Sequence, residues 1–408
     1  MSQKKTLLVI GGGAAGFFCA VNAARLHPGL EVILAEQSNK LLSKVKVSGG
    51  GRSNVTHACF DPVELSKRYP RGSRFVGKAF HQFHASHTVQ WFLERGVTLK
   101  TEADGRMFPV TDSSQTIIDC LLNEAAKYNV QIRMKAAVKD IRQDPGTHKF
   151  HLAVEGSNDI IADAVCIATG GMAKGTVAAW LQSFGHTIAE PVPSLFTFNM
   201  PGHPITRLSG VSSEVQAKIT GTKLAEAGPL LVTHWGLSGP AILKLSAWGA
   251  RELAAMNYIF EVQVNWLPGK NEQQVAELVR NQRRESGGLQ TGSKNKFGLP
   301  QRLWEFLVEQ SGIEKTKRWA DLSRDEQGAL VKNLWACSFP VKGKTTFKEE
   351  FVTAGGVALS EIDHRTMMSK KIPNLFFAGE VMDVDGVTGG FNFQHAWTSG
   401  FIAASSIS

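Results

Sequence analysis

The 408 residues carry 45 Lys and Arg against 36 Asp and Glu, a formal net charge of +9, with 43% apolar and 20% charged residues. That length and balance exclude a disordered or fibrous chain and leave room for two or three domains around a sizeable core. Five scattered cysteines (Cys19, Cys59, Cys120, Cys166 and Cys337) form no C-x-x-C pair, which argues against zinc, an iron–sulfur cluster or a disulfide framework and for a reducing cytoplasm.

Lys4 and Lys5 lead into TLLVIGGGAAG. Its glycines spoil both an apolar signal core and a membrane span, so a cytoplasmic protein is expected. The positive charge suits either a plain basic surface or an anionic partner such as nucleic acid. TLLVI then reads as a buried strand, AAGFFCAVNAARL as a small-residue helix, HPGL as a turn and EVILAE as a second strand, one βαβ unit over residues 6–36. Between strand and helix, Gly11, Gly13 and Gly16 satisfy G-x-G-x-x-G, and Glu36 follows Gly16 by twenty residues. Gly11 permits the tight turn, Gly13 the approach of a pyrophosphate, and Gly16 close helix–strand packing. The helix N-terminus offers N–H groups to phosphates, and Glu36 can accept from ribose hydroxyls. This spacing fits FAD and NAD alike.

SGGGRSN comes next. Its glycines allow positive φ and an anion-accepting nest, and Lys44 and Arg52 supply charge for a phosphate or for the flavin N1–C2=O edge. Residues 57–106 read as irregular, basic and aromatic. There Arg68, Arg71, Arg74 and Lys78 could hold phosphates while Tyr69, Phe75 or Phe80 stack bases, unless the aromatics are core beneath a solvated loop. A helix, SSQTIIDCLLNEAAKYN, precedes two expected strands, VQIRMKAAVKDIRQD and HKFHLAV, and the β-rich stretch ends in ADAVCIATGG. Short strand-like runs fill residues 191–265, charged helices 270–335, and β-structure resumes over 346–362. NLFFAGEVMDVDGVTGGFNFQHAWTSG then gives a strand ending at Gly379 and Glu380, an acidic loop with Asp383, and a Gly389–Gly390 turn opening a helix. Flavoproteins with two dinucleotide-binding domains carry a similar second FAD motif, its aspartate near the ribityl phosphate and its helix aimed at the flavin pyrimidine edge. A nucleotide-binding domain made from residues 1–190 and 346–408, interrupted by an inserted domain at 191–345, is the expected organisation.

GGGAAGFFCA, KVKVSGGGRSNVTH, IATGG, VTHWGLSGPAIL, FVTAGGV and the C-terminal segment occur in order along nearly the whole chain. Together they resemble the BaiN-like flavoprotein family, which includes a ribosomal-RNA dihydrouridine synthase and an aminoacetone oxidase. The resemblance implies an α/β, Rossmann-like two-dinucleotide-binding-domain flavoprotein with an inserted β-barrel and helical subdomain. It implies FAD contacts at Ala15, Glu36, Lys44, Arg52, Val138, Asp383 and Asn392, and on the same motifs at Ala14, Gln37, Gly51, Asn54, Thr169, Gly170, Gly379, Glu380, Gly390 and Phe393. Two positions depart from the family: Ser53 stands where GGGRCN has cysteine, and Thr366-Met367-Met368-Ser369-Lys370 replaces TMESK.

With one G-x-G-x-x-G, NAD(P)H is expected as a transient reductant rather than a resident. The leading expectation is hydride transfer from flavin N5 to C6 of an unpaired uracil in ribosomal RNA, with an acid protonating C5. A small-molecule oxidase or reductase acting on an amine or enone is the alternative, and a non-enzymatic flavin carrier a third. His234, His395 and Ser53 are the candidate proton donors, with Cys59 and Cys337 behind them. No metal is expected, and nothing in the sequence sets an oligomeric state.

Overall fold

A computed structural model describes residues 4–156, 158–172, 175–293, 295–345 and 352–407. The chain divides into two units, Met1–Pro193 with Phe347–Ser408, and Ser194–Thr346.

The first unit is built on a five-stranded parallel sheet. Its strands are β1 (Thr6–Ile10), β2 (Glu31–Glu36), β3 (Gln131–Met134), β4 (Ala164–Ile167) and β5 (Leu375–Phe377), in the order β5-β4-β1-β2-β3. β1, β4 and β5 are unbroken apolar runs because both sheet faces are covered. Helix α1 (Ala14–Leu26) and the last helix, α2 (Phe391–Ser406), pack together through small residues. A Cβ at Gly400 would lie 2.7 Å from the Ala15 carbonyl oxygen, so only glycine admits the approach. Phe18 of α1 meets Trp397 of α2 at 5.2 Å between ring centroids, and the Trp397 Nε1–H donates to the Val55 carbonyl at 2.9 Å. The two ends of the chain therefore share one core.

Residues 57–106 correct the expectation of an irregular stretch. They contain helices at Pro62–Ser66, Ser73–Ala79 and Ala85–Leu93, flanking a small sheet of Thr56–His57, Arg106–Pro109 and Leu99–Thr101. Asp61 caps the first helix by accepting from the Glu64 N–H at 2.8 Å, with Pro62 at its first turn. The single strand expected over VQIRMKAAVKDIRQD is two, β3 and Val138–Gln143, in different sheets. The chain breaks between them at Lys135, whose φ is +55°. Of the β-structure expected over 346–362, residues 346–351 lie outside the described residues, and Val352–Val357 is a fully buried strand.

In the second unit seven antiparallel strands form one sheet, ordered Cys337–Lys342, Ile259–Asn265, Ser212–Ile219, Ala225–Val232, Gly236–Ser238, Thr197–Asn199 and Lys344–Thr345. Its two edge strands are successive segments of one chain, joined at Gly343. The Gly343 N–H donates to the Tyr258 carbonyl at 2.8 Å, and its own carbonyl accepts from the Asn199 N–H at 3.1 Å. That residue closes the sheet into a barrel, which removes free edges. Alternation such as the in–out pattern of Cys337–Lys342 points Val215, Ala217, Val262, Val264, Phe339 and Val341 inward. Helices Glu272–Glu285, Gln301–Gln310 and Arg324–Trp335 add Val275, Leu303, Trp304 and Leu334 to the same core. Capping boxes at Asn271/Gln274 and Ser323/Glu326 start two of them. Among the described residues no helix is long and apolar enough to cross a membrane.

Candidate functional site

The glycine turn after β1 is built around an open space. Gly11 has φ +117°, and a Cβ there would lie 2.3 Å from the Ala168 carbonyl oxygen, while one at Gly16 would lie 1.9 Å from the Gly11 carbonyl oxygen. These two positions weld β1, β4 and α1. Gly13 differs: nothing lies within 4 Å of the Cβ it lacks, and it caps the N-terminus of α1 in extended conformation. Ala14, the first helical residue, is half-buried and Ala15 buried. At the end of β2 the Glu36 carboxylate accepts from the Gly12 N–H and the Ser38 N–H, each at 2.8 Å, which fixes its direction and leaves lone pairs for hydroxyl donors. Gln37 beside it is exposed.

SGGGRSN begins at the kink within the helical segment Ser43–Gly51, where Ser48, Gly49 and Gly50 leave helical φ and ψ. Gly49, Gly50 and Gly51 take φ of +58°, +71° and +85°, as the glycine run requires, and Gly50 and Gly51 face open space. The Arg52 and Ser53 N–H groups, however, both turn back to the Ser48 carbonyl. Arg52 is likewise engaged: its guanidinium donates to Glu102 at 2.6 Å, lies 3.6 Å from Asp112, and stacks over Phe108 at 4.1 Å. Two carboxylates and a ring thus hold the Arg52 guanidinium, whose side chain remains 33% exposed. Lys44 instead reaches the C-terminal motif, donating to Glu380 at 2.7 Å, and the other Glu380 oxygen accepts from the Thr353 N–H at 2.7 Å. This carboxylate lies beside the loop after β4, where Gly170 has φ +79°, the Glu380 Oε2 stands 4.0 Å from the Cβ it lacks, and half-buried Thr169 precedes it.

At the C-terminus Gly379, with φ +76°, leaves no room for a side chain, since a Cβ would lie 2.8 Å from that of Ala15. Its N–H donates to Ser399 at 2.8 Å and its carbonyl is 3.2 Å from His395 Nε2. Asn392 clamps the preceding loop by accepting from the Gly386 N–H and donating to the Gly386 carbonyl, both at 2.8 Å. With its amide oriented to suit its neighbours, Asn54 accepts from the Gly390 N–H at 2.9 Å and donates to the Thr56 carbonyl at 3.0 Å. It thereby pins the first residues of α2 to the SGGGRSN segment. Asp383 is half-buried, its N–H donating to the Val357 carbonyl at 3.1 Å, and Phe393 stacks on Trp397 at 5.9 Å. Val138, buried, opens its strand opposite Val154.

The three candidate acids fall apart in character. Ser53 is 1% exposed with φ +62°, and its Oγ has no partner among the described residues. His395 is fully buried, and burial pulls its imidazole down to about 4, against the weaker pull of the Gly379 carbonyl. At neutral pH it is therefore uncharged, with its Nε2 against the Gly379 carbonyl. His234 is exposed on the Thr233–Gly236 turn of the second unit. Burial also holds the Cys337 thiol up at about 12, and Cys59 is raised by burial as well, so neither is a ready acid.

The His395 state carries a consequence for stability. Its folded value lies below its ordinary unfolded value of about 6.5, so the unfolded chain binds the extra proton between the two. The contribution is complete above about pH 6.5 and is lost, by about 3 kcal/mol, as pH falls toward about 4. Urea titrations at several pH values should show that slope, and His395→Gln should flatten it.

Sequence reading missed the ties that hold the site. Arg71 and Asp385 form a bidentate ion pair with Asp385 wholly buried, and their backbones also bridge. Tyr69, 1% exposed, donates from its hydroxyl to the Phe391 carbonyl at 2.6 Å, at the start of α2. Phe80 is likewise core, so neither ring can stack a base, and Arg71 is committed to Asp385 rather than to a phosphate. Buried Gln394 gathers Thr56, Thr88 and Thr398. A basic residue in an aromatic stretch, set against a second aspartate two after Asp383, was the available signal for the ion pair.

The open cradle at Gly13, the oriented Glu36, the loop at Gly170 and the N-terminus of α2, pinned by Asn54, fit a flavin adenine dinucleotide. The chain is 31% identical over its whole length to a ribosomal RNA dihydrouridine synthase of Haemophilus influenzae, itself covered in full. It is 28% identical to a 3-dehydro-bile acid delta(4,6)-reductase of Clostridium scindens, with 97% of each chain covered. The solved open conformation of a flavocytochrome c3 fumarate reductase shares the fold at a TM-score of 0.52 and 17% identity, over 99% of this chain and 78% of that one. Residues 5–406 match the family described as HI0933-like protein Rossmann domain, so the chain belongs to that family of FAD-dependent oxidoreductases.

Proposed function

We propose that this protein reduces a uridine of ribosomal RNA to dihydrouridine, with NAD(P)H as the reductant that is consumed. End-to-end similarity to a ribosomal RNA dihydrouridine synthase is the observation that carries this reading. Uridine, NAD(P)H and one proton give dihydrouridine and NAD(P)+, and a flavin held at this site would supply the two-electron transfer between them. Glu36 would hold the ribose, the α1 N-terminus would take the pyrophosphate, and the α2 N-terminus would stabilise negative charge at the pyrimidine edge. Among the candidate acids for C5, His234 is the exposed one, on the Thr233–Gly236 turn of the second unit.

Incubation with NADPH and unmodified ribosomal RNA should yield a nucleoside heavier by two hydrogens in mass spectrometry; an unchanged uridine count removes the reading. His234→Ala should slow turnover by about 100-fold while flavin content stays unchanged, and wild-type turnover in that variant would withdraw it as a candidate. A second reading, reduction of a small enone, is favoured by the bile-acid reductase relative. It requires NAD(P)H consumption that depends on such a substrate and ignores RNA.

A further inference from the structure

The surviving cations of the basic stretch converge with the C-terminal segment on one face of the first unit. Arg74 and Lys78 are exposed on the Ser73–Ala79 helix, four residues apart and so on one side of it. Neither has an ion-pair partner among the described residues. His364 lies against this helix: its ring is 6.3 Å from that of Phe75, and its carbonyl accepts from Gln82 at 3.4 Å. Burial lowers the His364 imidazole, and the next largest influence is the charge of Lys78, followed by Asp363, Arg365 and Lys370. Three cations thus surround one histidine with a single carboxylate, Asp363, which Arg365 already holds at 2.8 Å. Exposed His81 extends the patch from the neighbouring turn.

We propose that this face, formed by Arg74, Lys78, His81, His364, Arg365 and Lys370, docks the phosphate backbone of the RNA substrate. The proposal rests on the RNA reading of the site. It takes the recognising groups from two chain segments about 280 residues apart. A spread of point charges without a buried polar pocket suits a sequence-blind polyanion; it does not suit one phosphorylated small molecule.

Arg74→Glu/Lys78→Glu in the full-length, flavin-loaded protein tests it, using a labelled single-stranded fragment of ribosomal RNA. Lys139→Glu/Arg142→Glu makes the same change in formal charge at cations already paired with Glu155 and Asp140. The first variant should bind about tenfold more weakly at moderate salt, with a salt-dependence slope lower by about 1.4, and the second should match wild type. NADPH bleaching of the flavin should be equal in all three. Unchanged affinity in Arg74→Glu/Lys78→Glu, or an equal loss in both variants, overturns the proposal. Displacement by polyglutamate as effective as by RNA would also overturn it, in favour of an acidic protein partner. If wild type binds the fragment through this face but makes no dihydrouridine, the function falls and the docking face stands. If it makes dihydrouridine while the variant binds normally, the face falls alone.

Discussion

Gly13→Val should give a folded, colourless protein, whereas Gly16→Val should fold poorly whether flavin is present or not. The two glycines sit three residues apart in one motif, and their surroundings separate their roles. Gly13 has φ −90° and ψ −171°, a conformation any residue adopts, and empty space where its side chain would go. Valine there costs about 1 kcal/mol as a poor helix cap, but its methyls occupy the space into which the pyrophosphate must come. At Gly16 a Cβ would meet the Gly11 carbonyl oxygen at 1.9 Å, in backbone that cannot step aside without separating α1 from β1. That overpacking costs about 3 kcal/mol or more, a melting temperature lower by roughly 6–12 °C. Melting should be measured on flavin-stripped protein, so that ligand stabilisation does not mask the difference. Visible absorbance relative to protein in Gly13→Val should fall to roughly a tenth of wild type or less. A yellow Gly13→Val protein would remove the cradle from the account of flavin binding.

The contrast shows what the sequence could carry. TLLVI, AAGFFCAVNAARL and EVILAE coincide with β1, α1 and β2 residue for residue, because local hydrophobic period and glycine spacing determine those elements. The strand before Gly379 and the helix after Gly390 were legible for the same reason. Residues 57–106 were not, since helices of five, seven and nine residues are shorter than the window in which a 3.6-residue period can be recognised. The capping signal at Asp61 and Pro62 was there to be read. The fate of Arg52 was beyond local reading: Glu102 lies 50 residues on, and only the fold brings it within 2.6 Å. Tyr69 and Phe80 likewise have the composition of a stacking platform, and tertiary burial alone makes them core.

Arg71 is where that hidden tertiary layer bears most on the flavin. Its guanidinium grips both oxygens of Asp385, with the side chains 13% and 0% exposed, and so fastens the segment before the Ser73–Ala79 helix to the loop carrying Asp383 and Gly390. Removing one member of a buried pair strands the other charge without solvent, so Arg71→Ala should destabilise the protein by about 3–5 kcal/mol. The expected drop in melting temperature is roughly 6–20 °C, with flavin affinity falling as the loop loses its anchor. Arg71→Leu/Asp385→Leu separates the two effects. It buries no charge and should regain most of the stability, while the bidentate tie that sets the loop's position is gone, so flavin binding should stay weak. Melting curves with and without added flavin read both quantities from the same samples. If the double variant recovers flavin along with stability, the ion pair is only a means of filling that space. If Arg71→Ala melts with wild type, the pair does not hold the loop at all.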